Sequence, residues 1–505
     1  MWKIIGTAIA FLVAATIFST YLAAKRRADK FKKDNPGLQV YTLLVPLFSP
    51  LRIFHLLPKW LPWLIYDMSD KQMAKGFTTE KGTDALAICD SDVSYFLLRD
   101  PALCHDIMVN RYKEIVKPVH TYVLIDIYGS NIVTTEGATW RRHRKIAGPV
   151  FGERNNALVH EASLRIANEM FAAWPTDQTA LIDISEEMMQ FALYVIASAG
   201  FGKDFAWTDK EGDIPAGHTL SFKTTMKTVI ENLMNYVMFP DWSLSKLART
   251  SRKEFGQYMD EMIEEAIADG DSLSPNILQA LTKAAFAENE SSKLTKEEIR
   301  ANGFIMIVAG HETTANTLAY AFALLALHPD IQDTLYQHCI EVLGGRDPEY
   351  ADFSKLTYSL AVMNETLRLY PQVIAIPKYS ADQTVVIGKH VLPPKTEIHI
   401  EVTAIHKNPD IWGPDVDEFK PERFLSTDEA RQNAVKIGWI PFSEGPRACV
   451  GKKFSQVEFV VVLTMVIMRY RVGVPEGVSR EHLLESASLF TLKPKHNVKL
   501  VFSRR

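Results

Sequence analysis

The sequence predicts a mainly α fold with a minor β portion, organised around one long central helix and preceded by an N-terminal transmembrane helix. Three observations predict it. Apolar residues recur at helical spacing through most of the stretch from about residue 85 to 370. Shorter apolar runs bounded by Pro, Gly or Asp gather towards the C-terminal half. The stretch from Thr295 to His328 runs without proline and ends at Pro329, which allows roughly 50 Å of unbroken helix.

The N-terminal element comes first. Ile4 to Ala24 carries no charge and is rich in Ile, Ala, Leu, Val and Phe; as a helix it spans roughly 31 Å, enough for a bilayer core. Lys25, Arg26, Arg27, Lys30, Lys32 and Lys33 follow, and only Lys3 precedes, so the bulk of the chain is expected on the cytosolic side. An uncleaved anchor is favoured over a signal peptide, whose apolar region is shorter. Residues 25–66 read as a basic and proline-rich linker. Within it, 38–66 either rests on the membrane interface or forms a buried connection. Residues 67–505 are then left as the catalytic domain.

Composition excludes several classes. With 505 residues, 47% of them hydrophobic, the chain can bury a large core. A formal charge of −4 gives no sign of nucleic-acid binding. Cys89, Cys104, Cys339 and Cys449 stand far apart, with no C-x-x-C pair, which argues against a disulfide framework or a zinc site and for a reducing compartment. No repeat appears, so solenoids and propellers drop out.

Helices are expected at Asn155–Trp174, Ser185–Phe201 and Arg252–Ala268, and strands at Thr384–Ile387, Glu397–Val402 and Val498–Phe502. The central helix opens on Thr295-Lys-Glu-Glu298, a capping box in which hydroxyl and carboxylate satisfy each other's backbone amides. Inside it, Phe304-Ile-Met-Ile-Val308 leads into Ala309-Gly310-His311-Glu312-Thr313-Thr314. A glycine, a carboxylate and two threonines are poor choices there; Gly310 alone costs about 1 kcal/mol against Ala. Two readings are open: a kink with Thr bonding back to a carbonyl, or a groove where a small molecule meets the backbone.

Near the C-terminus stands Pro441-Phe-Ser-Glu-Gly-Pro-Arg-Ala-Cys449-Val-Gly451, followed by an apolar helical run from Lys452 to Arg471. Gly445 and Pro446 force a turn. Cys449 precedes a helix N-terminus, where free amides and the dipole favour a thiolate.

Phe442-Ser-x-Gly445-x-Arg447-x-Cys449-x-Gly451 resembles the haem-binding loop of the cytochrome P450 superfamily. Four further segments resemble that family in the order it requires: Trp140-x-x-x-Arg144, Ala309-Gly310-x-Glu312-Thr313-Thr314, Glu365-x-x-Arg368 and Pro421-Glu-Arg423-Phe424. The resemblance covers about residues 35 to 505. It implies the cytochrome P450 fold, with the long helix crossing over haem b (iron protoporphyrin IX). It also implies Cys449 as the axial thiolate ligand, a strong electron donor that favours O–O cleavage.

The remaining roles follow from the resemblance. Phe442 would shield the sulfur. Arg447, Arg144 and the Trp140 indole would hold the propionates, arginine doing so in pairs of hydrogen bonds. Lys378 stands where many members place an arginine, so its contact would be weaker. Glu312 and Thr313 would relay protons to dioxygen, and Gly310 would leave room for it. Glu365, Arg368 and Arg423 would form a buried ion triad serving structure. Met306, Ala309, Val373, Ile376, Leu489 and Phe490 would line an apolar pocket. His311 is expected in a solvent or packing role, and Arg142 and His143 on a solvated basic surface.

The implied activity is insertion of one oxygen atom from O2 into a lipophilic substrate. Hydroxylation or epoxidation is expected, in single or multistep oxidation, within fungal secondary metabolism (terpenoid, steroid or polyketide). The alternatives are a haem-thiolate isomerase or dehydratase that consumes no O2, which typically lacks the threonine, and a non-catalytic haem binder. The chain runs only 56 residues beyond Cys449, with no flavin or nicotinamide fold. Electrons are therefore expected from NADPH through a separate membrane-bound NADPH-cytochrome P450 reductase, with cytochrome b5 as a second donor. Arg141, Arg142, Lys145, Lys452 and Lys453 are either a docking face or ordinary solvated charges. The expected location is the endoplasmic reticulum membrane, single-pass, with the catalytic domain facing the cytosol.

Overall fold

The computed structural model describes residues 2–43, 84–208, 214–268, 276–287, 293–488 and 491–505; the side chains of residues 2–14, Val123 and Leu124 lie outside that description. Its first element, α1 (Trp2–Asp34), covers the expected anchor and continues past it. Most of the side chains of that anchor fall outside the description. Among the described residues no helix is long and apolar enough to cross a membrane.

Where the sequence suggests a linker from residue 25, the helix instead runs through the basic residues to Asp34. Spacing is the reason. Ala24, Ala28 and Phe31 share one helical face and are buried, while Lys25, Arg26, Lys30, Lys32 and Lys33 face solvent. Arg27 Nε donates to the Ser91 carbonyl at 3.1 Å. The Asn35 side chain donates to the Val391 carbonyl at 2.9 Å and accepts from the Val391 amide at 2.8 Å. The rest of the expected linker and its boundary near residue 67 lie outside the described residues.

The α1 face packs on a sheet. Strands β1 (Gln39–Thr42), β2 (Ala85–Cys89) and β3 (Ser94–Leu98) join β8 (Thr396–Glu401) and β5 (Ala375–Tyr379) in the order β1-β2-β3-β8-β5. The pairings alternate parallel and antiparallel across it. Strands β2 and β3 read ALAIC and SYFLL and are buried throughout, as expected where both faces of a sheet are covered. β4 (Thr179–Asp183) and β9 (Tyr470–Gly473) flank β12 (Lys499–Arg504) in a second sheet. β6 (Val385–Ile387) with β7 (His390–Leu392), and β10 (Ser486–Ser488) with β11 (Leu492–Pro494), make two small ribbons.

The remaining helices of ten residues or more are α2 (Gly137–Ala147), α3 (Glu153–Ala173), α4 (Ile184–Val195), α5 (Phe222–Glu231) and α6 (Lys246–Ala268), then α7 (Ile277–Ala287), α8 (Lys296–Leu327), α9 (Pro329–Leu343), α10 (Thr357–Leu369), α11 (Glu429–Gly438) and α12 (Lys452–Arg469). The helix expected to end at Phe201 is α4 closed by a π-turn, Ile196–Gly200.

Helix α8 organises the rest. Its capping box forms: the Thr295 hydroxyl accepts from the Glu298 amide at 3.2 Å, and the Glu298 carboxylate accepts from the Thr295 amide at 3.0 Å. It stops at His328, where Pro329 removes the next donor and starts α9. Apolar on nearly all sides, with Ile299, Ala301 to Ile307 and Thr314 to Ala326 buried, it is a core helix, packed on α4, α6, α10 and α12.

Candidate active site

The loop before α12 is shaped by its backbone. Ser443 and Gly445 take φ of 57° and 67°, and at 445 only glycine fits, because a Cβ there would lie 2.5 Å from the Met108 carbonyl oxygen. The Cys449 amide donates to the Phe442 carbonyl at 2.9 Å and closes the turn. The Phe442 ring packs edge-on against Trp439, 5.9 Å between centroids.

Burial pushes the Cys449 thiol up; the Gly451 and Lys452 amides and the charges of Arg144 and Lys452 oppose it. The helix N-terminus alone therefore does not deliver the thiolate that the sequence suggests. Coordination to a metal would, since a bound thiol loses its proton outright. Cys449 and Lys117 are enclosed by protein on most sides yet present open surface, the combination that marks the wall of an interior cleft.

Basic groups converge beside that sulfur. Arg144 Nη1 donates to the Ala448 carbonyl at 2.9 Å. Arg447 lies 4.0 Å over the Trp140 ring, donates to the Thr135 carbonyl at 3.0 Å, and pairs with Glu136 at 2.6 Å. Lys378 on β5 is buried. Lys117, which the sequence reading missed, has its Nζ 3.9 Å over the Tyr122 ring. Burial, then the charges of Arg447 and Lys378, brings Lys117 down to about 7; burial, then Arg447, brings Lys378 down to about 8. Among the described residues neither lysine has a carboxylate partner within salt-bridge distance. Four cations around a single carboxylate suit a group with two carboxylates of its own. The donor set therefore fits haem, with Cys449 for the iron and Arg144, Arg447, Trp140, Lys378 and Lys117 for the propionates.

On α8 the burial pattern breaks where the unusual residues stand. Val308, Ala309, Gly310, Glu312 and Thr313 are accessible in a helix buried before and after them. The Thr313 hydroxyl donates to the Ala309 carbonyl at 2.7 Å, so back-bonding and an open groove, alternatives in the sequence, coexist. Its oxygen stays free to accept. The Glu312 carboxylate lies 4.0 Å from Lys493 of β11. His311 packs instead: it is buried, bonded to the Met189 backbone and held neutral, its pKa lowered by burial to about 4. Of the expected pocket residues, Val373 and Ile376 are accessible, Met306 is buried, and Leu489 and Phe490 lie outside the described residues.

The expected buried ion triad forms, and a fourth group, Asp415, joins it. Arg368 grips Glu365 with two hydrogen bonds, 2.7 Å and 2.8 Å, and caps the carbonyls of His406, Val416 and Glu418. Arg423 Nε approaches Glu365 to 3.3 Å without a hydrogen bond. Its hydrogen-bonded carboxylate is Asp415, 3.0 Å from Nη1 and from Nη2. Lys420 and Arg423 hold the Asp415 carboxyl well below the usual carboxylate range. Asp415 went unread because only the fold brings it to Arg423.

Arg142 and His143 are not a solvated basic surface: His143 is fully buried, 2.9 Å from the Asn302 amide nitrogen and 3.3 Å from Glu298, and Arg142 pairs with Glu298. Helix α2 turns both towards the start of α8. His406, fully buried, lies 3.2 Å by Nδ1 from the Leu367 carbonyl and accepts the Ile440 amide at Nε2, 3.0 Å. It ties α10 to the cysteine loop, and nothing in its sequence neighbourhood marks it.

The family model for Cytochrome P450 matches residues 79–500. The chain is 36% identical to "Cytochrome P450 monooxygenase 124" of Postia placenta over 81% of this chain and 83% of that protein. It is 30% identical to "Cytochrome P450 monooxygenase prx9" of Penicillium rubens over 92% and 90%. The crystal structure of the cytochrome P450DA heme domain superposes with a TM-score of 0.75 at 21% identity, covering 93% of this chain and 98% of that one, and shows the same fold. Loop, cationic cradle, central helix and family match agree: this chain belongs to the cytochrome P450 family.

Proposed function

We propose that the protein is a haem-thiolate monooxygenase that inserts one oxygen atom from O2 into a lipophilic substrate, by hydroxylation or epoxidation. The names of its fungal relatives support this. The observation that carries it is the accessible acid and alcohol, Glu312 and Thr313, on an otherwise buried helix of a chain that also holds Cys449 in a cationic cradle.

The haem, when bound, supplies dioxygen activation and oxygen transfer, drawing electrons from an outside donor. Cys449 would bind the iron. Arg144, Arg447, Trp140, Lys378 and Lys117 would fix the porphyrin's orientation through its carboxylates. Glu312 would take protons from the solvent side at its carboxylate oxygens and pass them to Thr313 Oγ1, whose own proton is engaged by the Ala309 carbonyl. Val373 and Ile376 would help exclude water and hold an apolar skeleton.

Membrane attachment through the first part of α1, an NADPH-cytochrome P450 reductase as electron donor, cytochrome b5 as a second donor, an endoplasmic reticulum location and a role in secondary metabolism belong to this proposal. The apolar run before Lys25 supports the first. The test is co-expression with a reductase, feeding of terpenoid, steroid and polyketide skeletons, and mass spectrometry. A product heavier by one oxygen, with 18O from 18O2 and NADPH consumed, is expected. Turnover without NADPH or O2 would overturn the proposal.

A further inference from the structure

An open surface pocket lies where the loop carrying Tyr128 meets α6 and the start of α8. It holds about 400 Å³. The Tyr128 ring forms one wall, packed edge-on against Phe304 at 4.9 Å, with its hydroxyl donating to the Arg252 carbonyl at 2.7 Å.

The rest of the wall is strongly basic: Arg249, Arg252, Lys253 and Arg300 against Asp241 and Asp260. The carboxylates are already engaged, Asp241 by Arg252 at 3.2 Å and Asp260 by Arg300 at 2.8 Å. Arg249 has only neutral partners: its Nη1 donates to the carbonyls of Asp241, Trp242 and Leu244. Lys253 has no hydrogen bond or ion pair among the described residues. The pocket therefore carries two positive charges in excess beside an aromatic face.

We propose that this pocket binds an organic phosphate monoester, its head between Arg249 and Lys253 and its flat or apolar body against Tyr128. Charge selects the class. A phosphate monoester carries close to two negative charges at neutral pH and matches the excess, which a carboxylate halves; arginine and lysine both bind phosphate well. The site is apart from the residues assigned to haem, and the inference does not rest on the oxidation chemistry.

The test is calorimetry on the full-length haem-loaded protein with phenyl phosphate as probe and with benzoate and inorganic phosphate as comparisons. One phenyl phosphate should bind per chain, more tightly than either comparison and more weakly as salt rises. Lys253→Gln should weaken it about tenfold, the scale of one charged hydrogen bond. Arg249→Gln should weaken it too, but that change also frees three carbonyls, so the lysine variant decides. The haem absorption band should not move at saturation. Failure to bind, binding unchanged in Lys253→Gln, benzoate equal to phenyl phosphate, or a shifted haem band would each overturn the assignment.

Discussion

The Arg142 guanidinium closes on the Glu298 carboxylate with two hydrogen bonds, 2.7 Å to Oε2 and 2.5 Å to Oε1. The same carboxylate caps α8 through the Thr295 amide, so one side chain starts the central helix and ties it to helix α2. Burial works against its ionisation, but Arg142, the Thr295 amide and His143 outweigh that and hold its pKa at about 2.

Glu298→Gln isolates the charge, because glutamine keeps the cap. A carboxyl depressed in the folded state stabilises above its unfolded pKa and loses that contribution as pH falls through the folded value. The variant should therefore be less stable by about 2 kcal/mol at neutral pH, once solvent screening is allowed for. The gap should shrink between about pH 4.5 and 2. Chemical denaturation across that range measures it, and a gap constant with pH would contradict the assignment.

Gly445→Ala forces a Cβ against the Met108 carbonyl from a left-handed backbone. We expect the cysteine loop to shift, with a cost of about 1–3 kcal/mol and haem content well below wild type. The ratio of haem to protein absorbance reads this directly. Full haem content would mean the loop can move without loss.

Thr313→Ala removes the hydroxyl beside Glu312 and leaves the haem ligands alone. Product formed per NADPH should fall about tenfold or more, with peroxide released in its place. Thr313→Ser, which keeps the oxygen, should recover most of the coupling. Unchanged coupling in the alanine variant would remove Thr313 from the proton path.

Asp415→Asn removes one of the two carboxylates paired with the buried Arg423 charge. Removing one partner of a buried pair costs about 3–5 kcal/mol. Because Asp415 is partly solvent-facing, the lower end is expected, read as a fall in unfolding midpoint and faster haem loss. A larger effect from Glu365→Gln than from Asp415→Asn would make Glu365 the stronger partner of Arg423.

Removing residues 1–23 should release much of the protein from the membrane fraction with its unfolding midpoint unchanged, because the cut stops short of Ala24, the first of the buried contacts with the sheet. Complete retention in the membrane would transfer the attachment to residues 38–66.

Legibility in the sequence tracked how local each signal was. The Thr295–Glu298 cap, the stop at Pro329 and the Phe442–Gly451 loop could be read because their partners lie within a few positions. Lys117, Asp415 and His406 could not: Lys117 meets Lys378 and Arg447, 261 and 330 residues further on, and the other two meet partners 8 and 34 residues away that only the fold supplies. Arg142 and His143 misled because a run of basic residues on a short helix reads as solvated until the fold supplies Glu298 and Asn302.

The unbroken passage of α1 into its contacts on the sheet makes the N-terminal tether a rod and not a rope. If its first half lies in a bilayer as proposed, the height of the whole molecule above the lipid is set by residue count: one residue added between positions 15 and 23 would lift the body by about 1.5 Å along the helix axis.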